Sequence, residues 1–426
     1  MTTTLDPALP TLDRWSDIRP LRRSARAKVS AALARRIFLR STSRLGISVS
    51  TDGSPADLVL HRPEEFFTRL GSDGLIGFGE SYMTGAWDAP ELGDTLTLLC
   101  AQITDLLPSW MQRMRAAYVA RQPRDERNSL HNTRRNIARH YDLSNDLFAA
   151  FLDPTLSYSA AMFDTDSVTD TSVAVPVTRL EPPVPGADLA EAQGRKVEAI
   201  LDAAGVGAGT RVLEIGTGWG ELAIRAARRG ATVRSVTLSS EQQELARRRV
   251  DDAGFSDSVQ IDLLDYRSVE GQYDAVVSVE MIEAVGYEYL PEYFETIDRV
   301  LAPGGRVAIQ VITMGHDRMR ATRRTWTWIH KYIFPGGFLP SVELIEGVTR
   351  KHTGLRLTGR TAFGSHYAET LRQWDLTFRA ARDRVLAVGF DETFLRMWHF
   401  YLEYSRAGFA SDYIDVQQLT FAREEG

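Results

Sequence analysis

The hydrophobic pattern of the chain changes character near residue 190. From there, short apolar runs alternate with amphipathic stretches. "RVLEIG" (211–216), "ATVRSVTL" (231–238), "VQIDLL" (259–264), "YDAVVSVE" (273–280) and "RVAIQVI" (306–312) read as strands. "WGELAIRAARRG" (219–230) and "SEQQELARRRVDDAG" (240–254) have helical spacing, each ends on a glycine, and Ser240 reads as the N-cap of the second. Such alternation predicts a doubly wound α/β sheet, completed by "LRLTGRTAF" and "YIDVQQLTF" as an antiparallel pair.

The earlier chain mixes periods. "ISVST" (47–51) and "ADLVLHR" (56–62) alternate like paired strands, with Asp52-Gly53 as the turn between them. "EEFFTRLG" and "DTLTLLCAQITDLL" read as helices, and residues 121–136 as an Arg-rich linker or exposed helix start. Residues 165–188 hold four prolines and few large apolar side chains, which predicts an irregular insertion.

Length and charge refine this picture. A chain of 426 residues suggests two or three domains at about 150 residues each. The expected division is an N-terminal lipid- or membrane-docking domain at 1–125 and a catalytic domain at 126–426, with 164–189 as a flexible insertion. No window approaches the roughly 18 consecutive apolar residues of a membrane span, and no secretory signal is legible. The single cysteine, Cys100, excludes an internal disulfide and reads as a buried small hydrophobe. A cytoplasmic location is expected. The net charge of −6 argues against nucleic acid as a partner. Yet residues 1–45 carry ten cations against Asp6, Asp13 and Asp17, and Arg113–Arg139 holds eight arginines against Asp125 and Glu126. Basic residues mixed with Ile37, Phe38 and Leu39 suit an anionic membrane surface, although a solvated helix face would look alike.

Candidate chemistry starts at Glu214-Ile215-Gly216-Thr217-Gly218-Trp219-Gly220, between the first strand of the α/β region and its helix. Glycine there lets a ligand lie against the main chain. The spacing is G-x-G-x-G, and the second strand ends Thr237-Leu238-Ser239 without the carboxylate a dinucleotide site places there for ribose. S-adenosylmethionine is therefore favoured over NAD. Ser239, Gln242 and Gln243 could hold ribose or adenine. Asp265, Tyr266 and Arg267 fall where an adenine contact would lie, with a surface ion pair as the plainer alternative for Asp265 and Arg267.

"VLEIGTGWGELAIRAA", "VTLSSEQQELAR", "DYRSVEGQYDAVVSVEMIEAVG" and "YIFPGGFLPS", with "ARHYDLSNDLFAAFLDPTLSYSAAMF" (138–163) upstream, together resemble the cyclopropane-fatty-acid synthase family of S-adenosylmethionine-dependent methyltransferases. "FGESYMTGAWD" (78–88) resembles the N-terminal domain of the full-length bacterial synthases. The resemblance covers roughly residues 60–425, and within the family the chain is similar to the actinobacterial branch that methylates phospholipid oleoyl chains to the 10-methylene precursor of 10-methylstearate (tuberculostearate). It implies a Rossmann-like class I methyltransferase sheet with a smaller mixed N-terminal domain. It also implies a phospholipid acyl substrate at the inner face of the plasma membrane and a separate reductase for the methylene product. A homodimer is left open.

Residue by residue, the resemblance implies methionine-end contacts from Tyr158 and Ser159, a glycine loop at Gly216, Thr217, Gly218, Trp219 and Gly220, and Glu214 as the acid before it. It assigns Thr237, Leu238, Ser239 and Gln242 to the ribose segment, and Tyr266 and Arg267 to the adenine side. Glu283, Tyr367 and the Ile312 backbone match ligands of the family's active-site bicarbonate. The usual Cys and His of that cluster are here Ala160 and Gln310, Ser405 replaces a further Cys, and Ala284 replaces the His of "FEHVG". These departures put bicarbonate binding and ring closure in question.

Methylation of an isolated alkene leaves a carbocation, which aromatic faces and a carboxylate can stabilise. Candidates are Tyr332, Phe334, Trp326, Trp328, Tyr367 and Glu283, with plain core packing as the alternative for the Trp and Phe residues. Loss of a proton from the new methyl closes a cyclopropane; a hydride shift before that loss gives a methylene. Glu283 is the expected proton acceptor, with Gln310 altering where the base sits. Competing expectations are a true cyclopropane synthase, a methyltransferase of a small soluble molecule, and an inactive cofactor- or lipid-binding subunit.

Overall fold

The computed structural model describes Trp15, Ile18, residues 20–22, residues 24–102 and residues 145–424. The basic stretch Arg113–Arg139, the 121–136 linker and the boundary near residue 125 lie outside the described residues.

The described chain forms two compact units, and their division is not linear in sequence. The first unit holds residues up to 102 together with Thr325–Ile333 and Trp374–Ser411; the second holds 145–324, 334–373 and 412–424. Two late segments thus belong with the N-terminal region rather than with the expected 126–426 domain. The reason is aromatic packing. Trp328 and Phe400 (ring centroids 4.8 Å apart) join Phe66, Phe78, Tyr82 and Trp87 in one buried cluster.

In this first unit, helix α1 (Ala25–Arg44) is capped by Ser24, whose side chain accepts from the Ala27 amide. It crosses helix α2 (Pro63–Met83) at Gly71, where a Cβ would stand 2.6 Å from the Ser30 backbone. Only glycine fits that crossing. Strands β1 (Val49–Ser50), β2 (Leu58–Leu60) and β3 (Trp87–Asp88) make a small sheet. β1 and β2 pair in parallel, so the hairpin expected around Asp52-Gly53 does not form. Instead Asp52 accepts from the Ser54 amide and from the Ser50 and Ser54 hydroxyls, shaping a wider return. Helix α3 (Leu92–Ala101) buries Leu92, Gly93, Thr95 and Leu96, which leaves Cys100, beyond that face, half-buried rather than buried.

The second unit is a nine-stranded sheet ordered β4-β5-β11-β12-β10-β9-β6-β7-β8. Its centre is parallel: β6 (Arg211–Ile215), β7 (Thr232–Thr237), β8 (Val259–Leu263), β9 (Tyr273–Val279) and β10 (Leu301–Met314). β11 (Leu355–Ala362) and β12 (Ile414–Arg423) form the expected antiparallel pair, and β12 lies antiparallel to β10. Alternate residues of the central strands feed two cores, one per face. Leu213, Ile215, Val276, Val307 and Ile309 pack with Tyr293, Phe294 and Ile297; Val212, Ala275, Val277 and Ala308 pack with Ile200, Leu201 and Ala223. Burial on both faces explains why these strands read as continuous apolar runs.

Residues 164–189 are not an irregular loop. β4 (Ser167–Asp170) and β5 (Val177–Leu180) form a hairpin that extends the sheet by pairing β5 with β11. His366 holds its base: Nδ1 accepts from the Phe163 amide and Nε2 donates to the Glu181 carbonyl. The Gly186 amide donates to Glu369 at 2.7 Å. Backbone pairing replaces the apolar side chains this segment lacks.

Among the described residues, no helix is long and apolar enough to cross a membrane.

Candidate active site

The chain runs β6, β7, β8 to one side of the sheet, then returns to place β9 on the other side of β6. A crevice opens at the carboxyl ends of the strands at such a reversal, and a pocket lies there. It is lined from β6 by Glu214 and the loop Gly216, Thr217, Gly218 and Trp219, from β7 by Thr237 and Leu238, and after β8 by Asp265, Tyr266 and Arg267.

Gly216, Gly218 and Gly220 have φ of 97°, 52° and 89°, which lets the loop turn sharply into the helix Glu221–Arg228. Beneath the loop, Ser235 Oγ donates to Glu214 Oε2 at 2.6 Å and lies 2.7 Å from Thr217 Oγ1. Burial pushes the Glu214 carboxyl up to about 8, against the opposing pull of Ser235 and the Lys196 charge. One wall is aromatic: Trp219 and Tyr158 line it, each with its ring 5.0 Å from that of Phe148, and Trp219 Nε1 donates to Asn145 Oδ1. Arg267 grips Asp265 at 2.9 and 2.5 Å, so the ion pair forms, and it forms on the pocket wall.

Two expected cofactor residues are engaged elsewhere. Ser239, not Ser240, caps the helix Ser240–Asp252, accepting from the Gln242 amide, and Gln243 donates to the Ile261 carbonyl; neither lines the pocket. Gln242 does line it, accepting from Thr237 Oγ1 at 3.0 Å, and Gly220 lies just behind it as the helix N-cap.

The expected catalytic residues divide into two groups. Tyr367 and Gln310 converge on Glu280, a residue not singled out from sequence. Glu280 Oε2 accepts from the Tyr367 hydroxyl at 2.7 Å; Oε1 accepts from Gln310 Nε2 at 2.8 Å and from the Ala160 amide at 2.9 Å. Glu280 stands at the end of β9 with φ +48°, a left-handed conformation costly for a side-chain-bearing residue, and it lines the pocket. Burial raises its pKa, opposed by those three donors and by Lys196. Glu283 and Ile312 form the second group. Glu283 Oε1 accepts from the Ile312 amide at 2.6 Å, and its buried Oε2 has no hydrogen-bond partner among the described residues. Burial, then the Glu280 charge, pushes Glu283 up to about 8. Neither Glu283 nor Ile312 lines this pocket, whereas Ala284 does.

Lys196 also escaped sequence reasoning. Its Nζ donates to Ser159 Oγ at 2.7 Å, and burial drives its pKa down to about 8. The legible signals were its rarity (one of four lysines) and its place one turn after Gln193, which binds the Ser157 and Ser159 carbonyls. For Glu280 the signal was an acid closing the apolar run of a central strand. Trp328 is core: its indole donates to Met83 Sδ and its ring packs on Phe400. Tyr332 donates to Glu80 within the same unit.

The pocket is therefore glycine-floored and aromatic on one side, and the carboxyls of Glu214, Glu221, Asp265 and Glu280 line it beside Lys196 and Arg267. Sheet order, glycine loop and acidic strand ends together define a class I methyltransferase architecture.

Residues 128–419 match the family described as mycolic acid cyclopropane synthetase, and the chain belongs to that family. It is 52% identical to the tuberculostearic acid methyltransferase UfaA1 of Mycobacterium tuberculosis over 97% of this chain and 96% of that one. It is 33% identical to the cyclopropane-fatty-acyl-phospholipid synthase of Escherichia coli, over 91% and 93% of the two chains. Among solved structures, the mycolic acid cyclopropane synthase CmaA1 complexed with SAH and CTAB superposes with a TM-score of 0.58 at 27% identity, covering 70% of this chain and 98% of that one.

Proposed function

We propose that this chain transfers the methyl group of S-adenosylmethionine to the double bond of an oleoyl chain in a phospholipid, giving the 10-methylene chain from which 10-methylstearate is made. The observation that carries this reading is the Glu280 carboxylate, held by Tyr367, Gln310 and the Ala160 amide at the pocket wall. The full-length likeness to a tuberculostearic acid methyltransferase supports it, as does a relative solved with SAH.

The residues fit the methyl donor. Trp219 and Tyr158 offer aromatic faces, and the Asp265 and Glu280 carboxylates on the pocket wall offer negative charge for a sulfonium. The bound donor would supply an electrophilic methyl carbon, whose bond to the sulfonium sulfur breaks with its electron pair staying on sulfur, so that S-adenosylhomocysteine leaves. The alkene π electrons form the new bond and leave a cation on the acyl chain. A hydride shift moves that charge to the carbon bearing the methyl, one proton leaves the methyl, and its C–H electrons close the exocyclic double bond. Glu280 accepts that proton at a carboxylate oxygen.

The residues do not fit bicarbonate. The Tyr367 hydroxyl, Gln310 Nε2 and the Ala160 amide already serve a carboxylate of the chain itself, and a second anion beside it would meet like charge. A built-in base, positioned by β9 rather than by a diffusible anion, suits proton loss after the hydride shift. A separate reductase then adds two electrons and two protons to the methylene. The test is transfer of label from methyl-labelled donor to phospholipid acyl chains by the purified full chain. Label appearing only in small soluble acceptors would overturn the reading.

A further inference from the structure

Helix α1 carries six cations (Arg26, Lys28, Arg35, Arg36, Arg40 and Arg44) and no acid over its 20 residues. Its buried side is Ala27 and Thr42, with Phe38 stacked edge-on against Phe66 at 5.0 Å. The opposite side faces solvent. There Val29, Leu33, Arg36, Arg40 and Arg44 follow one another three or four residues apart, so they form one stripe. Val29 is 71% exposed and Leu33 44%. Arg22, ahead of the helix, pairs with Asp73 of α2 at 3.5 Å. Arg26, Lys28, Arg36, Arg40 and Arg44 form no ion pair with any described residue, and Arg35 rests on the Phe67 ring.

A solvated helix face is ordinarily charged with both signs and offers no apolar end. This one is apolar at one end and cationic along the rest, with no carboxylate on the helix itself, so it would repel basic partners and gains nothing from facing water with Val29. We propose that the exposed α1 stripe is the surface by which the protein docks on an anionic phospholipid bilayer. Val29 and Leu33 enter the headgroup–acyl boundary, and Arg36, Arg40 and Arg44 meet lipid phosphates. The inference deepens the function proposed above by naming the side of the molecule that faces its lipid, and it rests on that reading only for the choice of a lipid partner.

The experiment is flotation of the full chain with vesicles of phosphatidylcholine alone or with about a quarter phosphatidylglycerol, at low and high salt. Wild type is expected on the anionic vesicles only, with binding lost at high salt. Arg36→Gln/Arg40→Gln/Arg44→Gln is expected to lower vesicle partitioning about 100-fold, from the roughly fivefold worth of each basic residue near such a surface. Val29→Ser/Leu33→Ser is expected to lower it about tenfold without changing the salt dependence. Methyl-donor binding by calorimetry and the circular-dichroism melt report the fold and the catalytic pocket separately, and neither variant is expected to move them. Wild-type partitioning in both variants overturns the proposal. So does a sedimentation result in which the substitutions split a dimer while vesicle binding persists.

Discussion

The Tyr367 hydroxyl donates to Glu280 Oε2 at 2.7 Å, joining the helix Gly364–Ala380 to the end of strand β9. This bond fixes one oxygen of a carboxylate whose other oxygen is fixed by Gln310 and Ala160. A base held from both sides meets the positional demand of proton removal from one particular carbon.

Glu280→Gln keeps the side-chain shape and removes the base. Turnover is expected to fall by about 10²- to 10⁴-fold, the usual worth of a positioned general base, and donor affinity to fall by much less, through loss of one negative charge on the pocket wall. Single-turnover kinetics and calorimetry on the same preparation check both halves.

Glu280 must be ionised to act, and its pKa is raised by burial. Activity is therefore expected to rise with pH along an acid limb above the ordinary glutamate range. Tyr367→Phe and Lys196→Met each remove something that lowers that pKa, so each is expected to move the limb to higher pH. A profile that superposes on wild type would show that these side chains do not act through Glu280.

Stability has its own pH signature. Glu214 and Glu283 are both pushed up to about 8, so between the ordinary carboxylate range and about pH 8 the folded chain binds more protons than the unfolded one. Their contribution is fully present below about pH 4.5 and is lost as pH rises through about 8. Lys196, pushed down to about 8, acts with the opposite sign only above that point. The melting temperature is expected to fall from pH 5.5 to 8, and less steeply in Glu283→Gln.

His366 joins the β4–β5 hairpin to the sheet through both ring nitrogens. His366→Ala leaves the Phe163 amide and the Glu181 carbonyl unpaired and is expected to cost about 2 kcal/mol or more. Protease cleavage within 165–188 should accelerate, read by mass spectrometry of the fragments.

The α/β half was legible because its strands are covered on both faces and its helices on one, so period and burial agree from Arg211 to Met314. The glycine loop was legible for the same local reason, since positive φ demands glycine at Gly216, Gly218 and Gly220. What could not be read depends on distant partners. The 164–189 hairpin is held by His366 and β11, far along the chain, and its own residues carry no strong strand signal. β1 and β2 have the alternation of a hairpin, yet three serine and aspartate side chains set a parallel return. Lys196 and Glu280 gain their roles only when the helix Leu189–Ala203, β9 and β10 meet. Glu283 was the conspicuous acid from its motif, but folding turns it toward the Ile312 amide and leaves the pocket wall to Glu280.

The central claim, that a carboxylate of the chain itself removes the proton after a hydride shift, is tested most directly by mass spectrometry and NMR of lipids from an oleate-rich host expressing this chain alone. The account predicts 10-methylene-octadecanoyl phospholipids, absent when the host expresses Glu280→Gln. A cyclopropane as the main product, or an unchanged methylene yield in that variant, would contradict it.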